Sequence, residues 1–146
     1  MIEHIQNNIQ TLAIIIRASF QDEGIKFFTP DDYSLQLAYM NRPTGYEIKP
    51  HVHCRVDRQT QFTQEVLVIR SGKLRVDFYD DRKVYLTSRI LIPGDVILLA
   101  SGGHGFQAIE AVEIIEVKQG PYAKELDKVR FDPVISDELK FGEYGQ

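Results

Sequence analysis

Apolar and polar positions alternate with a period near two along most of this chain, in short blocks separated by turn residues. An extended strand places successive side chains on opposite faces, so this period predicts an all-β barrel or sandwich. Leu12 to Arg17 is rich in β-branched residues, and Tyr33 to Met40 sets Tyr33, Leu35, Leu37 and Tyr39 against Ser34, Gln36 and Ala38. Asn41-Arg42-Pro43-Thr44-Gly45 reads as a turn. From Gln64 to Arg70 both faces are largely apolar, which predicts a strand covered on each side. Ser71-Gly72 reads as a two-residue hairpin connection into Lys73 to Tyr79, with Asp80-Asp81 as the next turn. Val84 to Leu91, Asp95 to Leu99, Gly105 to Ile109 and Val112 to Lys118 continue the series. At the start, Ile2 to Gln10 suits a short helix. Beyond Pro121 the alternation fades, and Ala123 to Gln146 reads as a charged tail that wraps the core or frays.

A length of 146 residues fits one domain with a core of its own. The expected organisation is a single domain over 1–146, with a core at about 33–122, an N-terminal arm at 1–32 and a C-terminal tail at 123–146. A net charge of -4 without a basic patch argues against a nucleic-acid footprint. Near the start the longest apolar run, Leu12 to Ile16, is far too short to span a membrane and lacks the flanks of a signal peptide, so a cytoplasmic location is expected. The same run suits an edge strand that needs covering, and it predicts a homodimer in which the N-terminal arm packs on the partner. Cys54 is the sole cysteine, which excludes an intramolecular disulfide and fits a reducing compartment. No lowered thiol pKa can be argued for it, so it is expected to be a small buried hydrophobe or semi-exposed thiol rather than a nucleophile.

The chemistry concentrates between Gly45 and Gly72. His51 and His53 are separated by one residue, and on a strand that spacing points both imidazoles to one side, where both reach one ion. Glu65 adds a carboxylate, and His104, in the Gly-rich run Gly102-Gly103-His104-Gly105, offers a further nitrogen. Three neutral nitrogens and one carboxylate suit iron, manganese, nickel, cobalt or zinc better than calcium or magnesium. An inward-facing Glu65 needs a metal or another cation beside it, because an unpaired buried carboxylate is costly. Glu116 and Lys118 share one face of a strand end and are placed to pair; if that face is interior, Glu116 becomes a candidate general acid or base. Tyr39, Tyr46, Tyr79, Phe62 and Phe106 are expected mainly in the core, with Phe106 sharing the face of His104. His4 is expected to be solvated.

These residues resemble the cupin superfamily, small β-barrels whose first motif reads Gly-x5-His-x-His-x3or4-Glu-x6-Gly; here Gly45-x5-His51-x-His53 and Glu65-x6-Gly72 match its halves, with Cys54 to Gln64 between them. The second motif, approximately Pro-Gly-Asp followed by Pro-x-Gly-x2-His-x3-Asn, is met by Pro93-Gly94-Asp95 and by Ala100 to Phe106, with Ala100 in place of the proline, a spacing to His104 one residue short, and Ala108 in place of the asparagine. The resemblance implies a jelly-roll barrel, or double-stranded β-helix, holding one divalent transition metal through His51, His53, Glu65 and His104. It is compatible with oxygenase, isomerase, epimerase or lyase chemistry on a small polar metabolite such as a sugar or sugar-nucleotide derivative. A non-catalytic barrel that binds a small ligand or metal, or a structural dimerisation barrel, is the alternative, since a fold does not fix a function.

Overall fold

The computed structural model describes residues 1–8, 10–121 and 128–142. Two compact units divide the chain, one formed by Met1–Phe20 with Thr63–Gln146 and the other by Gln21–Phe62.

Among its described residues the larger unit contains eight strands: β1 (Ile2–Gln6), β2 (Thr11–Ile16), β5 (Glu65–Ser71), β6 (Leu74–Tyr79), β7 (Tyr85–Leu91), β8 (Val96–Leu99), β9 (Gly103–Ala108) and β10 (Glu113–Lys118). The smaller unit is the antiparallel pair β3 (Gly24–Phe27) and β4 (Ala38–Asn41). Among the described residues there is no α-helix, only a 3-10 turn at Ser136–Glu138. The all-β class expected from the alternation is therefore present. Among the described residues no helix is long and apolar enough to cross a membrane.

In the larger unit β1-β2-β8-β5-β10 form one antiparallel sheet and β7-β6-β9 a second. Neither closes into a barrel. One apolar cluster takes Ile5, Leu12, Ala13, Ile15, Leu67, Ile69, Ile97 and Leu99 from the first sheet and Leu74, Val76, Phe78 and Leu91 from the second. That shared core makes the unit a sandwich, because side chains from two inner faces fill one layer.

From β5 onward the chain crosses between the sheets at every connection except the β6–β7 hairpin. Ser71-Gly72 is one of these crossings rather than the expected two-residue hairpin, since β5 pairs with β8 and β10 and β6 with β7 and β9. Gly72 sits at φ 76°, and a Cβ there would lie 1.9 Å from the carbonyl oxygen of Ala111. Two arches, 71–73 and 109–112, meet at that point, where Ile109 N–H donates to the Lys73 carbonyl at 2.9 Å. Asp80-Asp81 does make the expected turn: Asp80 Oδ1 accepts from the backbone N–H groups of Arg82 and Val84 at 2.9 and 2.8 Å.

Ile2 to Gln10 is not a helix. Its first residues form β1, whose partner β2 supplies the ladder that a short isolated helix lacks. Nor is Leu12 to Ile16 an edge: β2 lies between β1 and β8, with Leu12 through Ile16 buried. Its apolarity is thus satisfied within the chain, and the argument for covering it with a second copy no longer applies. The expected strand Tyr33 to Met40 is shortened to β4, because the Gln36 side chain closes a loop instead. Its Nε2 donates to the carbonyls of Pro30 and Tyr33, each at 2.9 Å, and its Oε1 accepts from Thr29 Oγ1 at 2.8 Å.

Ion pairs join the two sheets along one margin. Glu3 on β1 receives Arg17 Nε at 2.5 Å and Arg89 Nε, from β7, at 2.9 Å. Arg17 also donates to Asp95 Oδ2 and to the Ile90 carbonyl, both at 2.8 Å. Burial works to discharge the Arg17 guanidinium, but its hydrogen bonds to Glu3 and Asp95 outweigh that and hold its pKa above the ordinary value. The described part of the C-terminal tail packs on Tyr79 of the three-stranded sheet and bridges to the edge strand β7. Phe131 packs edge-on against Tyr79 at 5.0 Å, Val134 N–H donates to Tyr79 Oη at 2.9 Å, and Ser88 N–H donates to the Lys140 carbonyl at 2.7 Å. Residues 123–127 and 143–146 of that tail lie outside the described residues.

Candidate metal centre

Glu65 opens β5 and His104 is the second residue of β9, so they begin on different sheets. Register aims them at each other. Glu65 shares its face with the core residues Leu67 and Ile69, and His104 lies opposite the buried Phe78 in the β6–β9 ladder. Glu65 Oε2 and His104 Nε2 are 3.3 Å apart, with side-chain exposures of 15% and 29%. On the neighbouring strand Lys118 is the direct cross-strand partner of Glu65, and its Nζ lies 3.9 Å from Glu65 Oε1. Two residues earlier, Glu116 Oε1 is 3.3 Å from the same ammonium. The expected Glu116–Lys118 pair is present, and through Lys118 it is linked to Glu65.

The physical demand made by an inward carboxylate is met by these neighbours. The His104 hydrogen bond holds the Glu65 carboxyl below its ordinary range; burial opposes this, while the charges of His104, Lys118 and Lys128 assist it. Phe106, two residues along β9, sets its ring 5.2 Å from that of His104 and leaves about half of its own surface exposed. Tyr79 is buried as expected, whereas Tyr46, Phe62 and Phe106 are exposed.

His51 and His53 belong to the smaller unit, and both are exposed. They do not lie on a strand: residues 47–61 form no ladder. Pro50 and the polar run Asp57 to Gln61 give that stretch little that a sheet could bury. The two rings nevertheless sit 5.2 Å apart, edge to face. His51 Nδ1 lies 3.0 Å from the Lys49 carbonyl. A carbonyl only accepts, so Nδ1 is the donor and Nε2 of the neutral ring keeps its lone pair free for a ligand. Cys54 is exposed and unpaired by any disulfide, and His4 is exposed as expected.

Among the described residues no three His, Cys, Asp or Glu side chains gather closely enough to hold an ion. The sequence-derived ligands are therefore described as two pairs, one in each unit. The Glu65–His104 separation can be tested against a coordination shell. Oxygen and nitrogen ligands each ~2.1 Å from one ion, at angles between ~90° and ~110°, are about 3.0–3.4 Å apart. The observed 3.3 Å falls in that range and is longer than the roughly 2.7–2.9 Å of a short charge-assisted hydrogen bond. The pair thus fits two positions of a shared shell, although Lys118 stands beside it.

The chain matches no known protein family, curated protein or solved structure. Interpretation therefore rests on the geometry. The Lys118–Glu65 contact is what sequence reasoning missed. Its one available signal was the shared face of Glu116 and Lys118, because the register pairing Lys118 with Glu65 is a tertiary property.

Proposed function

We propose that this protein is a cupin-type, metal-dependent enzyme acting on a small polar metabolite such as a sugar or sugar-nucleotide derivative. One divalent transition metal, of the iron, manganese, nickel, cobalt or zinc type, is held through Glu65 and His104, with His51 and His53 as the further ligands that the sequence suggests. The observation that carries this reading is the 3.3 Å approach of Glu65 Oε2 to His104 Nε2 across the two sheets. Support also comes from the path of the chain, which after β5 crosses between facing sheets at every connection but β6–β7, in the manner of a jelly roll. When bound, such an ion supplies Lewis acidity, or oxygen activation if it is iron. Glu116 is the protein's own candidate for moving a proton, being partly exposed and tied to the site through Lys118.

The test is elemental analysis of untagged protein purified without chelator. The expected result is about one metal per chain, lost in Glu65→Gln and His104→Ala. His51→Ala and His53→Ala examine the sequence-derived part of the ligand set by the same readout. No metal above background, even after reconstitution with each candidate ion, overturns the proposal.

One observation favours a second reading. Lys118 already gives Glu65 a cation at 3.9 Å, so the cluster is also consistent with a metal-free protein that binds a small ligand through His104 and Lys118. That version, a metal-free sandwich rather than a closed barrel, expects ligand affinity to be insensitive to chelator.

A further inference from the structure

One stretch of the smaller unit carries a strand pattern without a strand. Between Pro50 and the polar run that begins at Asp57, apolar Val52, Cys54 and Val56 alternate with His51, His53 and Arg55, and such alternation marks a half-buried strand. Yet residues 51–58 are exposed and belong to no ladder, with Val52 at 89% and Val56 at 57%. In the larger unit β10 shows the converse defect. It ends its sheet and pairs on one side only, with β5. The ladder puts Ile114, Glu116 and Lys118 on the face of Ile69, Leu67 and Glu65, and Ile115 and Val117 on the other. Glu113 to Val117 are nevertheless all exposed, Ile115 at 48% and Val117 at 52%. An apolar edge of this kind accepts a further strand.

We propose that residues 52–58 of one copy of this chain add as an antiparallel strand to the β10 edge of a second copy, and that the exchange is reciprocal, giving a reversible homodimer. One register satisfies both segments. It sets Arg55 opposite Glu116, Val56 opposite Ile115 and Cys54 opposite Val117, and it brings Arg58 level with Glu113, where the β5–β10 register shifts. Unlike charges and apolar side chains thus meet their kind of partner across the new ladder; His53 against Lys118 and Asp57 against Ile114 add nothing. Pairing β10 with its own copy does less well. A two-fold axis at Glu116 opposes two carboxylates, and one at Ile115 sets Glu116 against Ile114. The exchanged strand also gives the His51–His53 spacing the extended backbone that the single chain does not supply. The association does not depend on the metal reading.

Because Cys54 is the sole cysteine, a second thiol reads the register directly. Full-length Val117→Cys, mildly oxidised, is expected to run as a covalent dimer on a non-reducing gel, whereas the wild type and the double variant Val117→Cys/Cys54→Ser stay monomeric. A disulfide closed within one chain assigns the edge to the chain's own segment and overturns the exchange. No disulfide in Val117→Cys, with circular dichroism showing a folded β protein, overturns the pairing outright. Light scattering across a micromolar dilution series supplies the charge test. Arg55→Glu and Glu116→Arg are each expected to raise the dimer dissociation constant about tenfold, since each reversal acts twice per dimer, and the two together to return it to within about threefold of the wild type. A wild type that is monomeric throughout the series, or single reversals that leave the dissociation constant unchanged, refutes the proposal.

Discussion

Replacing Asp95 by alanine should be among the most damaging single changes available outside the candidate site. Asp95 is fully buried, just before β8. Its Oδ1 accepts from Ala18 N–H at 2.8 Å, and its Oδ2 accepts from Arg17 Nη1 at 2.8 Å and Ile92 N–H at 3.1 Å. Removing the carboxylate orphans two backbone donors and takes one of two counter-charges from a guanidinium whose Nη2 is already buried without a partner. Breaking a buried pair by deleting one member costs about 3–5 kcal/mol, and that range already contains part of the orphaning. For a chain of this size the loss corresponds to a fall in Tm of about 10 °C or more. Asp95→Asn should recover little. One amide oxygen can still accept from Ala18, but the amide nitrogen then faces two donors, Arg17 and Ile92. Far-UV circular dichroism during urea unfolding is the appropriate assay, because the chain has no tryptophan. If Asp95→Ala costs less than about 1 kcal/mol, the network is not the structural junction described above.

Gly72→Ala tests the crossing between β5 and β6. A positive φ and a Cβ 1.9 Å from the Ala111 oxygen predict a loss of more than about 2 kcal/mol by the same unfolding measurement. Tyr79→Phe tests the docking of the C-terminal segment. Losing the acceptor of Val134 N–H should cost about 1 kcal/mol, and proteolysis between residues 128 and 134 should accelerate. Tyr79 also carries a pH signature. Burial raises its pKa above the ordinary 10.0, with the Val134 hydrogen bond opposing. The folded state therefore resists ionisation, so the stabilising contribution is complete below about pH 10 and is lost as pH rises through the higher folded value. Tyr79→Phe should unfold with less sensitivity to alkali than the wild type; an unchanged alkaline profile counts against the assignment.

Much of the larger unit was legible as alternation. β5 through β10 fall within a residue or two of the blocks bounded by Gly72, Asp80-Asp81, Gly94 and Gly102, because period-two burial and turn chemistry are local signals. Pairing was not. Nothing local distinguishes a hairpin at Ser71-Gly72 from a crossing, and nothing in Leu12 to Ile16 says whether the strand is an edge or an interior member. Those are decided by which partners the rest of the chain supplies. The same limit applies at the site. Glu65, His104, Glu116 and Lys118 stood out as residue types, and three of them meet at Glu65 by register. His51 and His53 stood out by spacing, but that spacing has its geometric meaning only on a strand, and their segment forms none.

The ion pairs from Glu3 to Arg89 and from Arg17 to Asp95 lie at the margin where β1 and β7 meet, whereas Glu65, His104 and Lys118 lie toward the other margin, bounded by β9 and β10. A sandwich riveted along one side has one direction in which to breathe. Thermal separation of the sheets within this unit should begin at β9 and β10, whose amide hydrogens should exchange faster than those of β1, β2 and β8. The consequence is kinetic: the side chains best suited to chemistry line the seam that opens most readily, and a solute reaches them without the core being unpicked.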